Sequence, residues 1–216
     1  MYKIVAIDGP AGSGKGTVAK ILADTCNLTY IDTGAMYRAI AYLTLKHNIA
    51  IDDEEKIVEL ARNTKIEFKD GRIFLNGIDI SKEIRTMEVT KIVSPISSIV
   101  PLREILVDLQ RNMAGKSDII MEGRDITTVV FPNADYKFYL DADVEERAKR
   151  RYEENKAKGI SSTYKEIVEN IKERDYNDMH KKVGSLTKTE DSIYIDSTNM
   201  TIDQVVEKIK KIIEVK

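Results

Sequence analysis

Tryptophan is absent from the 216 residues, and cysteine is nearly so: Cys26 stands alone. A single thiol cannot close an internal disulfide, so packing and hydrogen bonds must hold the fold. Cys26, near the end of an amphipathic stretch, reads as a small core residue. Proline is limited to four scattered residues, so no Pro-rich linker divides the chain. Neither sign of charge dominates: 34 Lys and Arg against 36 Asp and Glu leave −2. That balance gives no bulk attraction to nucleic acid or to a membrane surface. No apolar run reaches transmembrane length. The chain enters an apolar strand at once, with no signal-peptide pattern, so a cytoplasmic location is expected. His47 and His180 have no cysteine partners at metal-ligand spacing, and both read as surface residues. What remains suffices to bury the core of one α/β domain with insertions.

The most informative stretch is Gly9-Pro10-Ala11-Gly12-Ser13-Gly14-Lys15-Gly16-Thr17. Tyr2 to Ile7 before it forms a short apolar run typical of a buried strand. Val18, Ile21 and Leu22 after it have helical spacing. Glycines between a strand and a helix let the backbone curl around phosphate and turn successive N–H groups inward. The helix N-terminus adds partial positive charge, and Lys15 reaches the β and γ phosphates. A Gly-rich turn without a ligand would not require Gly-Lys-Gly-Thr in this context. The residue after Lys15 is Gly16, and the hydroxyl comes one later, at Thr17. A hydroxyl directly after the lysine ordinarily meets Mg²⁺. No direct protein ligand for Mg²⁺ is therefore expected; the ion is held through ATP and water, near Thr17.

Further along, Leu28 to Ile31 predicts a second strand, and Asp32-Thr33-Gly34 a turn into a helix. Asp52 with Glu55 predicts another helix start. The period then changes. Ile66-Glu67-Phe68, Arg72 to Leu75 and Ile78-Asp79-Ile80 are separated by Asp70-Gly71 and Asn76-Gly77, which are strong hairpin signals. They predict a small three-stranded antiparallel sheet over about 66–80. Ser81 to Ser98 reads as mostly helical, interrupted at Pro95, and Pro101 suits the first turn of the next helix. Strands at Ile119–Met121, Tyr136–Leu140 and Ser192–Ile195 restore the β/α alternation. Asp143 with Glu146, Thr163 with Glu166, and Thr201 with Gln204 read as helix caps. Strands separated by helices imply a parallel sheet covered on both faces.

Ligands of such sheets sit beyond the carboxyl ends of the strands. Asp8, Asp32, Thr33, Glu122, Arg124 and Asp125 all leave strand ends there. Any one of them alone is as well explained by a cap or a solvated turn, but several converge beside the phosphate loop. Arg147, Arg150 and Arg151 share a helix face. They form either a solvated basic face or an arm that swings cations over a transferring phosphate. Arg174 and Asp178, four apart on a helix, are spaced to pair.

Six segments in order carry a resemblance: the phosphate loop, Asp32 to Arg38, Glu83-Ile84-Arg85-Thr86, Glu122-Gly123-Arg124-Asp125, Thr128 to Pro132, and Lys172-Glu173-Arg174-Asp175. Together they resemble the bacterial cytidylate kinases, P-loop nucleoside monophosphate kinases, over nearly the whole chain. The resemblance implies a P-loop core of residues 1–32 and 116–216, a lid at about 147–162, and a monophosphate-binding insert at 33–115. It implies transfer of the γ-phosphoryl group of MgATP to CMP or dCMP by a monomer. Gly9 to Thr17 would bind ATP, and Lys15, Arg38, Arg124, Arg147 and Arg151 would carry catalysis. Arg38 and Arg124 would hold the acceptor phosphate, and Thr33 would belong to the same site. Ser94, Arg103 and Asp125 would contact the cytosine ring, and Arg174 and Asp178 the sugar. Lys181 stands where the family usually has an arginine, and Ser185-Leu186 stands in place of Pro-Leu. UMP or AMP as acceptor is the near alternative. A guanine-nucleotide switch is the distant one, and Asn155-Lys156-Ala157-Lys158 lacks the guanine motif it needs.

Overall fold

The computed structural model describes residues 2–69, 71–115, 117–157 and 159–214. Its centre is a five-stranded parallel sheet in the order β2-β6-β1-β7-β8. The strands are β1 (Ile4–Asp8), β2 (Thr29–Asp32), β6 (Ile119–Gly123), β7 (Tyr136–Asp141) and β8 (Ile193–Asp196). β1 lies between β6 and β7, with Asp8 opposite Gly123 on one side and Tyr139 on the other. Both faces of the middle strands are buried, so they read as unbroken apolar runs. α1 (Lys15–Cys26) and α8 (Ile202–Glu214) cover one face, where Val5, Ile7, Leu22, Phe138, Val205 and Ile209 pack together. On the other face Ala6, Ile31 and Met121 meet Val107 of α5 (Val100–Met113).

Between β2 and β6 the chain builds the insert. Its parts are α2 (Thr33–Lys46), α3 (Glu54–Arg62), the antiparallel strands β3 (Ile66–Lys69), β4 (Arg72–Leu75) and β5 (Ile78–Asp79), α4 (Met87–Ile96) and α5. The three-stranded sheet is as expected. Asn76 and Gly77 both adopt positive φ, 49° and 82°, the conformation that a tight hairpin turn demands. Asp70 of the other turn lies outside the described residues. The insert has its own core, in which Met36, Ile40, Ile57, Ile73, Ile84, Ile96, Leu102 and Leu106 meet.

Three local expectations are corrected, and one feature was not foreseen. Pro95 does not interrupt its helix; it sits in the last turn of α4, which runs on to Ile96. α3 is capped by Asp53, not Asp52, through Lys56 N at 3.2 Å. The Asp143–Glu146 cap does not form before α6 (Val144–Ala157), because Glu146 turns to Arg150 Nε at 3.0 Å. After β6 the backbone makes a wide π-helical turn, Ile126–Val130, that no local pattern announced. The Thr163–Glu166 capping box of α7 (Tyr164–Met179) is present. At α8, Thr201 and Gln204 exchange backbone-to-side-chain hydrogen bonds of 2.9 and 3.3 Å.

Candidate active site

The phosphate loop leaves β1 at Asp8 and enters α1 at Lys15. Gly12 and Gly14 have φ of 80° and 91°, values that L side chains rarely adopt. At Gly9 a Cβ would overlap the Leu140 carbonyl of β7, so glycine is needed there for close approach. Asp8 is fully buried, and its carboxylate accepts from Ile126 N (3.0 Å), Thr127 N (2.8 Å) and Thr127 Oγ1 (2.7 Å). Burial raises the Asp8 pKa despite these donors. This brace seats Ile126 and Thr127, whose N–H groups have no partner within the turn, against the end of β1.

Lys15 folds back over the loop and donates to Pro10 O at 2.8 Å and Ser13 Oγ at 3.4 Å. Burial first, and the Arg124 charge second, bring its pKa down to about 7. Glu122, at the end of β6, accepts from Tyr30 OH at 3.2 Å. A Cβ on Gly16 would stand 3.0 Å from Glu122 Oε1. The place where a serine or threonine would ordinarily follow the lysine thus backs onto a carboxylate. Burial and the Asp32 charge raise the Glu122 pKa, while Lys15, Arg124 and Arg38 oppose that rise. Among the described residues no group of three or more His, Cys, Asp or Glu could hold a metal ion. The exposed Thr17 hydroxyl and the Glu122 carboxylate instead fit a hydrated cation held chiefly by phosphate oxygens.

Beyond the ends of β2 and β6 the cations gather. Asp32 caps α2 through Ala35 N (2.9 Å), and Arg85 Nη2 reaches its other oxygen at 3.5 Å. Thr33 Oγ1 donates to Glu122 O at 2.8 Å. Its oxygen would lie 2.6 Å from any Cβ on Gly123, so that glycine lets β2 and β6 close up. Burial pushes the Arg38 guanidinium down, Asp32 pulls it back, and Arg85 and Arg124 push it down again. Like charges held together in this way make a place for an anion. Arg85 was legible only as part of a motif, with no role attached.

Arg124 does not stand alone. Its Nε pairs with Asp178 Oδ2 at 2.7 Å, and Asp178 Oδ1 takes Lys181 Nζ at 3.1 Å. Burial is the largest influence on each charge of the Arg124–Asp178 pair and works against it, but the opposing charges together prevail: Asp178 with Glu122 and Asp8 holds the Arg124 pKa above its ordinary value, and Arg124 with Lys181 holds that of Asp178 below. This corrects the expected Arg174–Asp178 pair. Asp178 turns inward to Arg124 and Lys181, and Arg174 is exposed on α7.

Deeper in, Arg103 Nη2 forms a buried ion pair with Asp125, and Arg103 Nη1 donates to Ser97 O at 2.9 Å. Arg103 Cζ lies 5.4 Å from the centre of the Tyr37 ring. Its Nε is buried with no hydrogen-bond partner among the described residues. Burial raises the Asp125 pKa against the pull of Arg103. Gly184, at φ 66°, closes over this pair so tightly that a Cβ would overlap Arg103 Nη2. Ser94 is half-buried nearby, its carbonyl taking the Ser97 and Ser98 hydroxyls at 2.9 and 3.1 Å.

The α6 arginines divide. Arg147 is buried and fully tied down: Nε to Ala142 O (2.8 Å), Nη1 to Ala11 O (3.0 Å) and Nη2 to Asp175 Oδ2 (2.6 Å). The expectation of a swinging cation is corrected for this residue, which grips the phosphate loop from behind. Arg150 is likewise held, with Nη2 on Ser197 O at 2.6 Å. Arg151 is exposed and, among the described residues, pairs with Glu154 at 3.1 Å. Asp175, like Arg85, was legible only as part of a motif with no role attached, and Ser97 and Gly184 had no signal of their own, because their partners are distant in the chain.

The family model described as cytidylate kinase matches residues 5–215. A cytidylate kinase of Caldanaerobacter subterraneus subsp. tengcongensis is 52% identical over 205 residues, covering 95% of this chain and 92% of that protein. One from Clostridium tetani is 50% identical over 214 residues, covering 99% and 95%. The shikimate kinase of Bacteroides thetaiotaomicron superposes with a TM-score of 0.50 at 10% identity over 99% of each chain, a likeness of fold alone. A phosphate loop on a parallel sheet, an inserted antiparallel sheet and half-identity over the full length leave one placement: the chain belongs to the cytidylate kinase family.

Proposed function

We propose that the protein transfers the γ-phosphoryl group of ATP to CMP or dCMP, giving ADP and the diphosphate. The buried Arg103–Asp125 pair carries this reading at the site. A carboxylate only accepts, so it matches the N4 amino group of cytosine and opposes the O4 carbonyl of uracil. The unpartnered Arg103 Nε supplies a donor for a ring acceptor. Gly9 to Thr17 cradle the triphosphate, and Lys15 faces its β and γ groups. Arg38 and Arg124, with Thr33 beside them, hold the acceptor phosphate. Ser94, Arg103 and Asp125 read the base. Arg174 and Asp178 of α7, with Lys181 just beyond it, meet the sugar and phosphate.

An acceptor phosphate oxygen attacks the γ-phosphorus in line, and the bond to the bridging oxygen of ADP breaks. The acceptor is already an anion, so no general base is needed. Catalysis is positioning plus charge neutralisation. Arg38 and Arg124 also let two anions approach; at ~4 Å each like-charge pair repels by about 4 kcal/mol in a site of moderate dielectric. Arg147 serves by fixing the loop, and Arg151, exposed on α6, exchanges Glu154 for the phosphate. Mg²⁺ bound with ATP near Thr17 would neutralise part of the triphosphate charge. Residues 33–115 receive the acceptor together with Arg124, Asp125, Arg174, Asp178 and Lys181, residues 1–32 and the rest of 116–216 hold the donor, and the segment about 147–162 closes over ATP.

The test is ADP formation with CMP, dCMP, UMP, AMP and GMP in turn, for the wild type and Asp125→Ala. The wild type should turn over CMP and dCMP best. Asp125→Ala should lose roughly 10- to 100-fold in kcat/KM for CMP, the size of about 1–3 kcal/mol for an unpaired buried group, and much less for UMP. An unchanged CMP-to-UMP ratio in the variant would remove Asp125 as the base reader.

A further inference from the structure

Six residues form a circuit around the acceptor end of the site. Arg124 binds Asp178, Asp178 binds Lys181, Lys181 binds Ser97, Ser97 binds Arg103, and Arg103 binds Asp125, the neighbour of Arg124. Five of the six are charged and belong to the proposed acceptor site. The sixth, Ser97, is neutral and lies at the C-cap of α4. It is buried, and with Arg103 it brings the insert into the circuit. Its hydroxyl accepts from Lys181 Nζ at 2.9 Å while donating to Ser94 O at 2.9 Å. Its carbonyl accepts from Arg103 Nη1 at 2.9 Å. One residue therefore fixes a cation at each end: Lys181 toward the phosphate side and Arg103 toward the base.

We propose that Ser97 is a positioning residue for the acceptor nucleotide, aiming the Lys181 ammonium through its hydroxyl and the Arg103 guanidinium through its carbonyl. A lysine is a mobile point charge on a long stem. Without a fixed acceptor on the insert its ammonium would be free to settle on Asp178 alone, so its aim depends on a second contact. Ser97 Oγ is that contact, and its own direction is set by the bond to Ser94 O. Because Ser97 is on the insert and Lys181 follows α7, the hydroxyl also ties the arrival of the acceptor to the closing of the two parts. Arg103 keeps its carbonyl partner whatever side chain stands at 97, so substitution there separates the two roles.

This inference rests on the proposed reaction, and the experiment keeps the two apart. Wild type, Ser97→Ala, Ser97→Thr, Lys181→Met and the Ser97→Ala/Lys181→Met double variant are compared with CMP varied at saturating ATP. Amine acylation of Lys181 is followed by mass spectrometry in the protein without nucleotide. Ser97→Ala should raise the KM for CMP roughly tenfold, the effect of one lost hydrogen bond to a charged group. The KM for ATP should stay within about twofold, and Ser97→Thr should restore the CMP value. In the Lys181→Met background Ser97→Ala should add less than about twofold, because both changes remove one interaction. Acylation of Lys181 should be faster in Ser97→Ala. Additive effects, an unchanged KM for CMP, or an unchanged acylation rate would each overturn the assignment. Should the alanine variant not fold, Ser97→Cys gives the same readings. A wild type without CMP-dependent ADP formation would end the proposed reaction, while the acylation result would still decide the role of Ser97.

Discussion

Lys15 illustrates how a motif residue acquires its chemistry from neighbours that the motif does not contain. Its ammonium is buried against Arg124, and its pKa falls to about 7, against about 10.4 for a free lysine. Between those values the unfolded chain binds more protons at this site, so this group's contribution to stability rises with pH across that window. A triphosphate beside it should restore the higher pKa. ATP binding at pH 8 is therefore expected to take up close to one proton, and ATP affinity should weaken as pH rises from 7 toward 10. Calorimetry in buffers of different ionisation enthalpy measures the uptake; none at pH 8 would show that Lys15 is already charged. Lys15→Met should lower kcat by roughly 10²-fold or more, as loss of one transition-state donor does. Lys15, Arg38 and Arg124 could be picked out by position because each sits just past a strand or in a glycine-rich turn. The pairings of Asp178 could not. A carboxylate four residues from an arginine satisfies a helical rule, but the buried Arg124 and Lys181 compete for it, and burial makes their attraction the stronger.

At the scale of elements, the Arg147–Asp175 pair joins three pieces: α6, α7 and, through Ala11 O, the phosphate loop. It is a buried pair with one oxygen, Asp175 Oδ1, unpartnered among the described residues. Removing one member of such a pair strands the other, which typically costs about 3–5 kcal/mol. Asp175→Ala should therefore lower stability to urea by that order and also loosen ATP binding, whereas Glu169→Ala on the exposed face of α7 should change neither. Equal midpoints for the two variants would show that the pair does not hold the loop. Elements with a strictly local cause were legible: the hairpin at Asn76-Gly77, the buried strands, and the Thr163–Glu166 box. Helix starts slipped by a residue where two candidate caps stood together, as at Asp52 and Asp53. The π-helical turn after β6 had no local signature, and the acceptor that seats its first residues is Asp8, more than a hundred residues away.

Across the whole molecule, the fold class followed from the alternation of strands and helices, and the three-stranded insert from a change of period. What the alternation leaves open is which strand lies in the middle, a matter of long-range pairing. The insert and the lid segment stand outside the parallel sheet, so hydrogen exchange should show protection rising there when ATP and CMP are added together, with β1, β6 and β7 little changed. Equal protection with and without nucleotides over 33–115 and 147–162 would count against closure. No helix among the described residues is long and apolar enough to cross a membrane. The two apolar cores have a wider consequence. The insert packs Met36, Ile57, Ile73, Ile96 and Leu106 around itself, and α1 and α8 pack Leu22, Phe138 and Ile209 against the sheet. The two clusters share no residue. Ancestral change could therefore rework the outer part of the insert without unsettling the machinery that spends its triphosphate, while α5, whose Val107 packs on the sheet, had to keep its seat. A chimaera that exchanges 33–115 with that of a relative would take over the counterparts of Ser94 and Arg103 but keep Asp125, so its taste for one base over another should change only when position 125 is exchanged as well.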